Sequence, residues 1–109
     1  MPAYLIAMVK VHDAETYRKY TAKTPDIIKA YGGKFLTRGG KVITTEGEAF
    51  KDRLVLLEFP SQQAALDMLN SPEYKAAVKD RHASSEGRFL VIEGVADGAA
   101  PDASVVKSG

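Results

Sequence analysis

Arg53-Leu54-Val55-Leu56-Leu57-Glu58-Phe59 is the stretch on which the fold turns. Its branched and aromatic residues, in a run too short for a stable helix, read as a strand. Side chains alternate across a strand, so Val55, Leu57 and Phe59 share one face and Leu54 and Leu56 the other. Both faces are therefore apolar. Pro60-Ser61 ends the run, because proline offers no N–H to a ladder. Two further segments repeat the pattern. Residues 3–11 divide into Tyr4, Ile6 and Met8 against Leu5, Ala7, Val9 and Val11. Residues 88–95 divide into Leu90 and Ile92 against Phe89, Val91 and Val95.

The segments between these strands follow helical spacing. Asp13 is a natural N-cap with Glu15 in the first turn, where negative charge suits the helix dipole. Tyr17, Tyr20, Thr24, Ile27 or Ile28, and Tyr31 recur every three or four residues until Gly32-Gly33. Pro25 lies inside this helix and is expected to kink or split it. Ser61 caps a second helix that carries Ala64, Ala65, Met68 and Leu69, and Ser71-Pro72-Glu73 starts another. A short strand over 34–38 breaks at Gly39-Gly40, and residues 41–45 are expected to continue it after a bulge or bend.

The resulting order is β-α-β-β-α-β, a split βαβ unit with helices on one face of a four-stranded antiparallel sheet. A sheet apolar on both faces needs two covering layers, and this chain encodes one. A second copy packed sheet to sheet about a two-fold axis supplies the other. The expected partner is thus the chain itself, as a homodimer. The domain is expected over 1–96, followed by a flexible C-terminal tail over 97–109, where Val105 and Val106 are the only large apolar residues.

Composition narrows the function classes. The 109 residues suffice for one core and not for two ordinary domains. Fifteen basic residues against fourteen acidic ones leave a net charge of +1, without the concentrated basic surface that nucleic-acid binding needs. With no cysteine there is no disulfide, no thiolate nucleophile and no cysteine metal site. The longest apolar run, Leu5 to Val9, is too short to cross a membrane, and the N-terminus does not read as a secretory signal. A cytoplasmic protein without cofactor, bound metal, nucleic acid or membrane is the expectation.

The string Tyr31-Gly-Gly-Lys-Phe-Leu-Thr-Arg38-Gly-Gly40, with Glu46-Gly47, Glu58-Phe-Pro-Ser61, Ser71-Pro-Glu-Tyr74 and Arg81, resembles the DUF1330 family of the dimeric α/β-barrel superfamily. The resemblance spans residues 3–95. It implies a ferredoxin-like α+β subunit whose sheet pairs with a second sheet to form a barrel. It implies little chemistry, since the family has no assigned function. Superfamily relatives include cofactor-independent monooxygenases, isomerases and haem enzymes, and a shared fold does not transfer an activity.

Two residues stand out as a candidate site. Glu58 closes an apolar strand, where a carboxylate without a cation has a raised pKa and can act as a general base. Arg38, just before Gly39-Gly40, is a fixed cation suited to a carboxylate or enolate oxygen. A structural ion pair is the plainer reading of both. His12, at the end of the first strand, is a second candidate base. His82 fits a helix end, and neither histidine carries a haem motif. Tyr17, Tyr74 and Arg81 are candidate ligand-binding residues, beside Tyr20 and Tyr31. Packing on the helix–sheet boundary accounts equally for the tyrosines, and pairing with Glu73 or Glu86 for Arg81. Gly39-Gly40 lacks the spacing of a phosphate-binding loop.

Two readings of function follow. One is a cofactor-independent enzyme, of isomerase or monooxygenase type, in which Glu58 or His12 moves protons and Arg38 stabilises an anion. The other is a non-catalytic metabolite-binding or structural dimeric module. Convergence of Arg38 and Glu58 in one pocket favours the first.

Overall fold

The two-faced strands meet in one sheet whose helices all lie on the same side. The computed structural model describes residues 1–95, so the tail expected over 97–109 lies outside the described residues. Its elements are β1 (Ala3–Val11), α1 (Ala14–Ala30), β2 (Lys34–Arg38), β3 (Arg53–Phe59), α2 (Gln62–Leu69), α3 (Pro72–Ser84) and β4 (Ser85–Glu93). The strands lie in the order β2-β3-β1-β4 and every neighbouring pair is antiparallel. This is the ferredoxin-like α+β arrangement expected from the sequence. β1 and β3 occupy its centre, which is why they carry the longest apolar runs.

Caps set the helix starts. The Asp13 carboxylate accepts from the Thr16 amide at 3.2 Å and from the Thr16 hydroxyl at 2.8 Å. These bonds hold its pKa below the ordinary carboxylate value, the hydroxyl contributing most. Ser61 accepts from the Ala64 amide at 3.0 Å. Ser71 accepts from the Tyr74 amide and donates to the Met68 carbonyl at 2.7 Å, which ties the end of α2 to the start of α3. Each such cap stabilises its helix by about 1 kcal/mol.

Three boundaries differ from the expectations. Pro25 neither splits α1 nor ends it; the helix runs unbroken from Ala14 to Ala30. The missing proline amide leaves the Thr21 carbonyl, four residues earlier, without its ordinary intrahelical donor. Tertiary packing of Tyr20, Thr24 and Ile28, all buried, holds the helix together across that gap. Residues 41–45 do not continue β2 as a strand. β4 begins at Ser85 rather than at 88 and ends at Glu93, because Ser85, Glu86 and Gly87 pair with Val11, Lys10 and Val9 of β1.

The bulge expected at Gly39-Gly40 lies earlier. Phe35 pairs with Leu57 and Thr37 with Leu56, so Leu36 is the extra residue. Gly39 instead turns the chain with φ +72°, a conformation that disfavours any residue with a side chain.

The core fills the space between helices and sheet. Leu5, Val9, Phe59 and Met68 are all but fully buried, each contributing roughly 1.5–3 kcal/mol of apolar burial. Tyr4, Ile6, Met8, Leu54 and Leu56 point to the other sheet face and remain partly exposed. Leu36, Leu90 and Ile92 are 46%, 44% and 54% exposed. An apolar surface thus occupies much of the side of the sheet away from the helices.

Candidate functional site

A cavity of about 30 Å³ lies between the helices and the sheet. Its floor is apolar: Leu5 and Ala7 of β1, Val55 and Leu57 of β3, and Phe89 of β4. Its roof carries hydroxyls, because the stripe of α1 that faces the sheet presents Tyr17, Tyr20, Thr21 and Thr24 at three- and four-residue spacing. Tyr74 of α3 completes the roof. The Tyr20 and Tyr74 hydroxyls lie 2.8 Å apart and both side chains are buried. Burial, and then the neighbouring Tyr74, push the Tyr20 phenol well above its ordinary pKa. Burial raises Tyr17 as well, and the nearby Arg53 guanidinium partly offsets this. Both phenols are therefore neutral donors at physiological pH.

Arginines gather at the open end. Arg38 and Arg53 line the cavity and also the shallow vestibule outside it, which Arg18 extends. Arg38 lies over the Phe35 ring at 4.5 Å and its Nη2 donates to the Thr21 carbonyl at 2.7 Å. Arg53 faces the Tyr17 ring at 5.8 Å. Its guanidinium packs against Gly39, where a Cβ would come within 2.9 Å of Cζ. Gly39 thus serves the site by having no side chain. Arg81 stacks on Phe89 at 4.0 Å and faces Tyr20 at 5.8 Å. The Nε atoms of Arg53 and Arg81 are buried with no hydrogen-bond partner. Among the described residues the ion pairs are Lys23–Asp80 and Lys34–Glu58, so neither Arg38, Arg53 nor Arg81 has a carboxylate partner. Among the described residues no acidic side chain lines the cavity or its vestibule.

The residues singled out in the sequence fall into two groups. Arg38, Tyr17 and Tyr74 line the cavity, and Arg81 packs against two residues of its wall. Arg81 pairs with neither Glu73 nor Glu86. Glu58 is elsewhere. It shares the helix-free face with Leu54 and Leu56, opposite Tyr4, and its carboxylate lies 3.6 Å from Lys34 Nζ. Arg38 and Glu58 do not converge, because the bulge at Leu36 turns Arg38 to the helix side beside Val55. His12 is exposed and outside the cavity, its amide bound to the Ser84 carbonyl. Tyr31 packs at the core's edge, away from the cavity.

Arg53 was not among the expected site residues. The signal was present: it shares the parity of Val55, Leu57 and Phe59, so strand alternation sends it to the helix side. Among the described residues no three His, Cys, Asp or Glu side chains are grouped to hold a metal ion. No helix there is long and apolar enough to cross a membrane.

Residues 2–95 match the family described as a domain of unknown function, DUF1330. The chain belongs to the DUF1330 family. None of the curated proteins matches it. Among solved structures, this DUF1330 protein is similar to the RPA0582 protein of unknown function from Rhodopseudomonas palustris. Identity is 23%, the TM-score is 0.72, and the match covers 87% of this chain and 83% of that one. It is also similar to SnoaB, a cofactor-independent oxygenase from Streptomyces nogalater, at 15% identity and TM-score 0.59, over 87% of this chain and 94% of that one. A dimeric ferredoxin-like protein of unknown function from Bacteroides fragilis matches at 16% identity and TM-score 0.51, over 85% and 96%. At these identities the likeness establishes the fold of the DUF1330 chain and leaves its chemistry to its own residues.

Proposed function

We propose that this protein recognises a small apolar molecule bearing an oxyanion, a carboxylate, enolate or phenolate, at the helix–sheet cavity. The observation that carries this reading is the pair of arginines at the cavity mouth, Arg38 and Arg53, neither with a carboxylate partner among the described residues and Arg53 with a buried unbonded Nε. Buried unpaired polar groups are costly unless matched or used. An oxyanion satisfies Arg38 and Arg53 together, the tyrosine hydroxyls add neutral donors, and the apolar floor takes the body of the molecule.

The same geometry supports a particular kind of catalysis. Among the described residues the cavity is lined by donors and by no carboxylate or imidazole, since Glu58 and His12 both lie outside it. A site of this kind stabilises an anion that ionises readily in water and does not generate one from a weak carbon acid. The likeness to a cofactor-independent oxygenase agrees with such a role. Binding without turnover requires the same residues.

The apolar sheet face supports a homodimer. Ile6, Met8, Leu54, Leu56, Leu90 and Ile92 form one continuous surface, and a similar fold is described as dimeric. Packing two such faces together covers them.

Calorimetric titration with benzoate and with its neutral isostere benzamide tests the ligand reading. Benzoate is expected to bind and benzamide to bind far more weakly, with benzoate binding lost in Arg53→Gln. Equal binding of the two, or none by benzoate, overturns the reading.

A further inference from the structure

The resting cavity is too small for the ligand its wall is built to hold. About 30 Å³ accommodates roughly two water molecules, whereas a benzene-sized cavity is about five times larger. The vestibule outside is open. Tyr17, Thr21, Arg38 and Arg53 line both spaces and so form the partition between them. Across that partition runs one bond from sheet to helix, Arg38 Nη2 donating to the Thr21 carbonyl at 2.7 Å. Its acceptor is available because Pro25 has no amide hydrogen to offer that carbonyl, which otherwise accepts only a long bond from the Thr24 hydroxyl at 3.4 Å.

We propose that this bond is a latch that selects anions. At rest Arg38 narrows the mouth of the cavity by holding the Thr21 carbonyl. An incoming oxyanion takes the guanidinium away from that neutral acceptor, because a charge-assisted hydrogen bond is roughly twice as strong as one to a carbonyl. Releasing Arg38 merges cavity and vestibule, and the apolar body of the ligand enters behind its own charged group. A neutral molecule of the same shape has nothing with which to displace the carbonyl, so it meets the narrowed mouth. Specificity thus resides in the exchange of one acceptor for another. Arg38 is the specificity-determining residue, and Pro25 acts through it as a positioning residue. The latch deepens the reading of the site given above and rests on it for the ligand class, although its mechanical part can be measured separately.

Titration of wild type, Arg38→Ala and Pro25→Ala with benzoate and benzamide tests the latch. Arg38→Ala removes the bond and the cation together. Its benzoate affinity is expected to fall roughly ten- to a hundredfold, while its benzamide affinity rises about two- to tenfold because no bond need break. Pro25→Ala restores an amide that competes for the Thr21 carbonyl and leaves Arg38 in place. Benzamide affinity should then rise with benzoate affinity retained, a combination that a merely structural proline would not produce. Benzamide affinity unchanged, lowered or undetectable in both variants overturns the latch. A benzamide gain in a protein that fails to bind benzoate upholds the latch and overturns the oxyanion reading.

Discussion

Pro25 withholds the amide hydrogen that the Thr21 carbonyl would ordinarily accept, and Arg38 supplies one in its place from the neighbouring sheet. A residue that disfavours a helix thereby creates the point at which the helix is fastened to β2. The exchange has a cost in stability, since proline in a helix interior is about 3 kcal/mol less favourable than alanine. Reduced unfolded-state entropy recovers part of that. Pro25→Ala is expected to stabilise the fold by about 1 kcal/mol, measured as a higher urea midpoint. A lower midpoint would show that the Arg38 bond contributes more than the helix amide.

Gly39 and Arg53 occupy space that only one of them can fill. Gly39→Ala places a methyl group against the Arg53 guanidinium at a backbone φ of +72°. A loss of about 1–3 kcal/mol is expected, from conformational strain and displacement together. In an Arg53→Ala background only the strain remains, so the same substitution should cost about 1 kcal/mol. Equal costs in the two backgrounds would mean that the guanidinium moves aside freely.

Tyr20 and Tyr74 satisfy one another, so removing one hydroxyl should leave the other unmatched in a buried site. Tyr20→Phe is expected to cost about 1–3 kcal/mol, and the double substitution to phenylalanine less than the two single losses combined. A double-mutant cycle with no coupling refutes the pairing.

Alkaline pH gives an independent check on the same pair. The folded phenol of Tyr20 ionises well above the ordinary value of 10.0, so the unfolded chain releases its proton first as pH rises. Stability from this group is complete below about pH 10 and declines above it. The decline with pH in chemical denaturation should be shallower in Tyr20→Phe than in wild type. An unchanged alkaline slope would place the phenol in contact with water.

The paired-sheet assembly predicts a mass of two chains in light scattering. Ile6→Asp puts a charge at the centre of the apolar face, opposite Leu56 and Leu90, and is expected to give a monomer. A wild-type monomer at micromolar concentration contradicts the assembly.

Much of the fold was legible because its signals are local. The alternation in β1 and β3 and the serine and aspartate caps each specify an element without reference to the rest of the chain. β4 was misread at its start because Ser85, Glu86 and Gly87 have no apolar pattern; β1 alone gives them a partner. The site was half legible. Tyr17 is legible in the helical stripe of α1 and Tyr74 in the string Ser71-Pro-Glu-Tyr74, whereas only strand alternation marks the side that Arg53 takes. The pairing of Arg38 with Glu58 failed for a geometric reason. Regular alternation from Lys34, which lies opposite Glu58, carries Arg38 onto that same face. The extra residue Leu36 reverses it, and no residue type in the string announces a bulge there.

That extra residue makes strand length in β2 a determinant of charge placement. Lose one position between Phe35 and Gly39 and the ladder regularises while the cation still meets Val55. Straighten the ladder with all its residues kept and the cation crosses to the helix-free face, among Leu54 and Leu56. A slip of register here therefore relocates a charge by the full thickness of the sheet without changing any residue type. When relatives are compared column by column, an arginine at this point corresponds to Arg38 only if the bulge is counted with it.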